Sequence, residues 1–172
     1  SVEQLERCAF DLATKHQVVT HSGGNGLLDR LDDNEAVLKD FYRASQTGDL
    51  SRHVTPAAEW LIDNFFLFEE QIQLVKRHLP KGYSRELPRL LSGVSAGWPR
   101  VYDIVATLVM HLDGQMDVAS VQSFVAAYQK SSVLNLGELW AIPIMVQLCL
   151  IENLRRITDK LIAGRRDREL SQ

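Results

Sequence analysis

The stretch TPAAEWLIDNFFLFEEQIQLVKRHL, residues 55–79, decides the fold class. Thr55 offers a side-chain oxygen to the free amides that open a helix. Pro56 stands at the first helical position, where its missing N–H removes nothing. At ~100° per residue, Glu59, Asp63, Glu70 and Arg77 gather on one polar face. Trp60, Leu61, Phe65, Leu67, Phe68, Ile72, Val75 and Leu79 gather on a wide opposite face. Asn64, Gln71 and His78, seven residues apart, fall inside that apolar face. A buried amide without a partner costs about 1–3 kcal/mol. The spacing therefore predicts a polar ladder that ties neighbouring helices in register. Pro80 and Gly82 stop the helix.

Helical periodicity continues on both sides of this stretch, and strand alternation is nearly absent. A first helix is predicted from about Val2 to His16, with Leu5, Cys8, Ala9 and Leu12 on one face. Residues 18–26 read as a flexible loop because of Ser22-Gly23-Gly24-Asn25-Gly26. A second helix is predicted from Asp32 or Asp33, with Glu35 completing a capping-box-like start, and ends by Gly48. Shorter helices follow over Ser84–Leu91, Pro99–Leu112 and Asp117–Lys130. A last helix runs from Asn135 to about Ala163, with Pro143 able to kink it or delay its start. Within it Leu139–Ile151 is apolar almost all round, the pattern of a central helix covered on every side. This thirteen-residue stretch, interrupted by Gln147, falls short of the ~20 that span a bilayer. The whole predicts an all-α single domain over residues 1–172, an irregular bundle of about seven helices around a buried C-terminal one. The start at Ser1-Val2 and the charged final run read as a piece cut from a larger protein.

Composition narrows the function. The chain is 45% hydrophobic and 24% charged with a net charge of −3, and its signs are mixed along the sequence. That balance argues against a nucleic-acid partner, which needs clustered cations. The one basic cluster, Arg155, Arg156, Lys160, Arg165, Arg166 and Arg168, reads as a solvated helix end, with a juxtamembrane basic segment on the cytoplasmic side of a membrane as the alternative. Cys8 and Cys149 sit in apolar patterns and read as small core residues in a reducing compartment.

No complete catalytic set is legible. Glu59 and Asp63 have the separation of a glycosidase carboxylate pair, yet also that of any two acids one turn apart. Cys8, His16 and His21 are too loosely placed to hold zinc. The glycine-rich loop lacks the Lys-Ser/Thr of a phosphate-binding loop. Among the aromatics, Tyr83 and Trp98 lie in loop-like segments, with Tyr102 nearby, and form the candidate set for stacking on sugar rings.

Five segments carry a family resemblance. They are Glu59–Phe65 running on to Ile72, Leu79-Pro80-Lys81-Gly82-Tyr83-Ser84-Arg85-Glu86-Leu87-Pro88, Ala96-Gly97-Trp98-Pro99-Arg100-Val101-Tyr102, Phe124–Gln129, and Leu136–Pro143 running on to Glu152–Arg156. Across Leu28–Leu161 they resemble the N-terminal helical region of the cyclic β-1,2-glucan synthases, very large bacterial inner-membrane proteins. The resemblance implies a parent that polymerises glucose from UDP-glucose, with a divalent metal, and cyclises the β-1,2-glucan. It also implies a place at the cytoplasmic face of the inner membrane, outside the membrane-spanning parts.

The family's Asp-x-Asp and Gln-x-x-Arg-Trp type motifs are absent here, so no catalytic, cofactor or metal residue carries over. The reading is a non-catalytic accessory module that docks on other domains of the parent. Its candidate contacts are Asp63, Glu70, Arg85, Glu86, Arg100 and Glu138, with internal ion pairing as the competing role. The alternative is a module that holds nascent glucan through Tyr83, Trp98 and Tyr102.

Overall fold

A computed structural model describes residues 1–20, 26–48, 55–79 and 86–171. Its described residues form seven α-helices and one two-stranded antiparallel sheet. The helices are α1 (Val2–Lys15), α2 (Gly26–Gln46), α3 (Pro56–Asp63), α4 (Phe65–His78), α5 (Arg100–His111), α6 (Val118–Gln129) and α7 (Leu136–Leu170). The strands are β1 (Val18–Val19) and β2 (Arg89–Leu90), with Val18 opposite Leu90.

The all-α class is as expected, but the seven helices are not the seven anticipated. The helix of residues 55–79 breaks at Asn64. Its side chain donates to the Trp60 carbonyl at 2.8 Å, and its backbone sits at φ −104° and ψ 8°. An Asn amide competes with the backbone in this way, which ends α3. The helix expected over Ser84–Leu91 is replaced, in its described part, by β2. Pro88 biases Leu87 away from helical angles. The next residues pair instead, Leu91 N–H to the Gln17 carbonyl at 2.9 Å and Leu90 N–H to the Trp98 carbonyl at 3.0 Å. Gly97, at φ +82°, turns the chain back along this edge, where most side chains would be strained.

Val18 and Val19, assigned to a loop by sequence, are therefore the partner strand; residues 21–25 of that loop lie outside the described residues. The start of α2 is also earlier than Asp32. Asp32 does not cap it; its carboxylate meets Lys76 at 2.6 Å, and Leu27 and Leu31 before it are buried.

Two compact units emerge from the contacts, Ser1–Leu27 with Leu79–Leu150, and Leu28–His78 with Ile151–Gln172. In the first, Ala9 and Ala13 of α1 pack with Ile104 and Leu108 of α5 and with Phe124 and Tyr128 of α6. Leu139 and Ile142 of α7 lie against the same cluster. Small residues on α1 let its backbone approach α6 closely. In the second unit Phe41, Ala58 and Leu61 pack with Phe68 of α4 and with Leu154, Leu161 and Ile162 of α7.

α7 is 35 residues long and continues through Pro143 as a single helix. It opens with a reciprocal cap: Glu138 N–H donates to the Asn135 side chain at 2.8 Å, and Asn135 N–H donates to the Glu138 carboxylate at 2.9 Å. Its length and composition would suffice to cross a membrane, although 39% of its most apolar window is buried in the protein. It is not covered on every side, as the apolar run suggested. Ala141, Met145 and Cys149 are buried, whereas Trp140 is 75% exposed and Pro143 is also exposed.

Candidate functional site

The densest polar arrangement lies in the first unit. Arg100, at the start of α5, grips Glu138 in two parallel bonds of 2.9 and 2.7 Å. The third nitrogen of the same guanidinium donates to Ser132 at 2.9 Å. Both partners of the pair are buried, Arg100 at 6% exposure and Glu138 at 0%. Burial alone would lower the Arg100 pKa, but bonding to Glu138 outweighs it and the net direction is upward.

The same guanidinium lies 6.0 Å over the ring of Tyr128. Tyr128 O–H meets His16 Nδ1 at 2.8 Å, His16 Nε2 meets Asp103 at 2.7 Å, and Ser95 Oγ donates to the other Asp103 oxygen. Burial raises the Asp103 carboxyl, yet the bonds from His16 and Ser95 prevail and hold it below the usual carboxylate range. Burial pushes the Tyr128 phenol up.

Carboxylate, imidazole and hydroxyl thus stand in the order of an activated nucleophile. The hydroxyl, however, belongs to a tyrosine with no solvent exposure. No substrate atom reaches it, so the chain acts as a polar spine tying α1, α5 and α6 together.

The second unit has a counterpart. Arg30 makes a two-pronged contact with Glu152, Asn34 donates to the same carboxylate at 2.6 Å, and Arg155 donates to the Asn34 oxygen at 3.1 Å. Burial raises the Glu152 carboxyl, but Arg30 and Asn34 bring it below its ordinary value. Glu35 collects Lys39, Lys76 and Gln73 at 3.3, 3.2 and 2.9 Å.

These contacts sort the expected site residues. Arg100 and Glu138 take the competing role of an internal ion pair, buried inside the first unit. Asp63, Glu70 and Glu86 are exposed. Arg85 and Tyr83 lie outside the described residues. Trp98 is half-buried and stacks on Tyr102, with ring centroids 5.1 Å apart and planes at 28°, so each ring spends one face on the other.

The polar ladder of Asn64, Gln71 and His78 is not formed. Asn64 caps α3 and His78 is exposed. Glu59 and Asp63 are both open to solvent, with no wall to shield a reacting bond from water. Cys8 and His111 lie 3.0 Å apart, with the thiol pushed up first by burial and then by Asp11.

Sequence reasoning missed the exposed apolar residues. Trp60, Phe66 and Leu67 stand in solvent at 55%, 68% and 52% exposure beside the acids of α3 and α4. Trp60 and Leu67 had been placed on the inward face. The only signal was their position at the margin of that face, next to Asp63.

No family model matches the chain. Across 96% of its length it is 37% identical to Cyclic beta-(1,2)-glucan synthase NdvB of Rhizobium meliloti (strain 1021). The chain belongs to the cyclic β-(1,2)-glucan synthase family. It spans 6% of the length of that relative.

Among the described residues no three His, Cys, Asp or Glu side chains converge. The Asp32-Asp33 pair is committed through Asp32 to Lys76.

Proposed function

We propose that this chain is a non-catalytic docking module of a cyclic β-1,2-glucan synthase, lying at the cytoplasmic face of the bacterial inner membrane. The parent transfers glucose from UDP-glucose, with its divalent metal held elsewhere in the protein, and the module positions those catalytic parts. The observation that carries the reading is the division of labour among the charged residues. Buried Arg100 with buried Glu138, and half-buried Arg30 with buried Glu152, are consumed in holding helices. The exposed Asp63 and Glu70 have no ion-pair partner among the described residues. Exposed pairs add little to stability, so outward charge of this kind is available for a partner.

The test is glucan synthesis from UDP-glucose by the full synthase carrying Asp63→Arg and Glu70→Arg. Product is expected to fall by about tenfold, the effect of ~1.4 kcal/mol of lost coupling, with the amount of membrane-inserted synthase unchanged. Synthesis at the parental rate would rule the docking role out.

A further inference from the structure

We propose that two copies of this chain associate head to tail, the cationic outer stripe of α7 in one copy lying on the apolar and acidic outer face of α3 and α4 in the other. The inference deepens the docking reading and rests on it. It names the partner of that face as the same module in a neighbouring protein.

Both surfaces belong to the second unit. On α3 and α4 the exposed acids Glu59, Asp63 and Glu70 alternate with exposed Trp60, Phe66 and Leu67. Within α3 the ~100° step sets Glu59, Asp63 and Trp60 in about a third of the circumference, and within α4 it does the same for Phe66, Leu67 and Glu70. None of the three acids has a cation within ion-pair distance among the described residues.

The complementary charge stands on α7. Arg155 and Arg165 are paired one turn away, with Asp159 and Glu169. Arg156, Lys160 and Arg166 are exposed and lack an ion-pair partner among the described residues. Ile157 is exposed beside them.

One copy cannot bring the two surfaces together. The opposite sides of these helices are already packed on one another, Leu61 and Phe68 against Leu154, Leu161 and Ile162. The acids and the cations therefore face away from a shared core, and opposite charges meet only between copies. Exposed aromatic and aliphatic side chains are what an interface centre contains, and the flanking charges set its orientation. With the exposed Arg77 on the acidic face and the exposed Asp167 on the cationic one, each face keeps a net charge of opposite sign, which makes the association dependent on salt.

Sedimentation velocity of the full chain tests this. The expected result is a mass above the monomer at about 0.02 M salt that falls to the monomer near 1 M. Glu59→Lys with Glu70→Lys makes both surfaces positive, and Lys160→Glu with Arg166→Glu makes both negative. Each double variant is expected to be monomeric alone, with unchanged helical circular dichroism. An equimolar mixture is expected to associate again, because every contact then joins unlike charges.

A wild-type chain that stays monomeric at low salt overturns the proposal, and so does association that survives both reversals or a mixture that does not reassociate. If the chain is monomeric while Asp63→Arg and Glu70→Arg still cost the synthase its product, self-association fails and docking onto other parts of the synthase stands.

Discussion

Arg100 and Glu138 show what a buried charge does in this protein. Neither has water to turn to, so Arg100 depends on Glu138 and Ser132, and Glu138 on Arg100 and the Asn135 N–H. Removing one partner leaves an unpaired buried charge, which costs about 3–5 kcal/mol, whereas replacing both with apolar side chains of similar volume is far cheaper. Glu138→Ala is therefore expected to lower unfolding free energy by about 3–5 kcal/mol. Part of that loss belongs to the α7 cap, because Glu138 also accepts from Asn135 N–H. Arg100→Met combined with Glu138→Leu should cost clearly less than the sum of the single changes. Urea unfolding of the four proteins in a double-mutant cycle gives the answer; additive losses would show that the pair is not coupled.

The pairing was not legible in the sequence. Arg100 and Glu138 stand 38 residues apart, so sequence offers internal ion pairing for them only as a role competing with docking and does not name the partner. Helix periodicity, a local property, places Asp63 and Glu70 on the polar face, and both are exposed.

Helix boundaries follow caps where caps are local, and tertiary contacts where they are not. Thr55 with Ala58 N–H and Asp117 with Ser120 N–H both form as their sequences suggest. Asn64 and the start of α2 went the other way, since side-chain bonding to Trp60 and burial of Leu27 overrode the pattern.

Pro143 is the plainest case at this scale. It lies inside α7, lacks the N–H that would bond the preceding turn, and is exposed. A helix interior tolerates proline at a cost of about 3 kcal/mol relative to alanine, and no core contact at an exposed site offsets it. Pro143→Ala is expected to stabilise the protein by about 1–3 kcal/mol, read as a higher thermal midpoint with undiminished helical signal. A lower midpoint would mean that the local shape of α7 at Pro143 is needed for packing.

At the scale of the molecule each compact unit holds a carboxylate withdrawn from water with a lowered pKa, half-buried Asp103 in the first and buried Glu152 in the second; the exposed cap Asp117 of the first unit is lowered as well, by bonds from Ser120. A group whose pKa is lower folded than unfolded binds fewer protons in the native state, so stability rises with pH across that interval. The contribution is complete above the ordinary carboxylate range. It disappears as pH falls through the lowered values, when both states are protonated. Urea midpoints measured from neutral pH down to about 2 should therefore fall steeply below about pH 4. Asp103→Asn should start lower and fall less. A wild-type midpoint that is flat across that interval would contradict the assignment of these two bonds.

Sequence alone determined the helical class, the local caps at Thr55 and Asp117, and membership of the glucan synthase family. Each of those rests on residues within a few positions of one another or on their order along the chain. Only the tertiary structure decided which apolar residues are covered. Trp60 and Leu67 carry the same hydrophobic signal as Leu61 and Phe65, yet they face solvent while the others are buried. Hydrophobicity states that a side chain gains by leaving water. Which side chains leave depends on where the neighbouring helices run, and those contacts join residues too far apart in sequence for any local pattern to record.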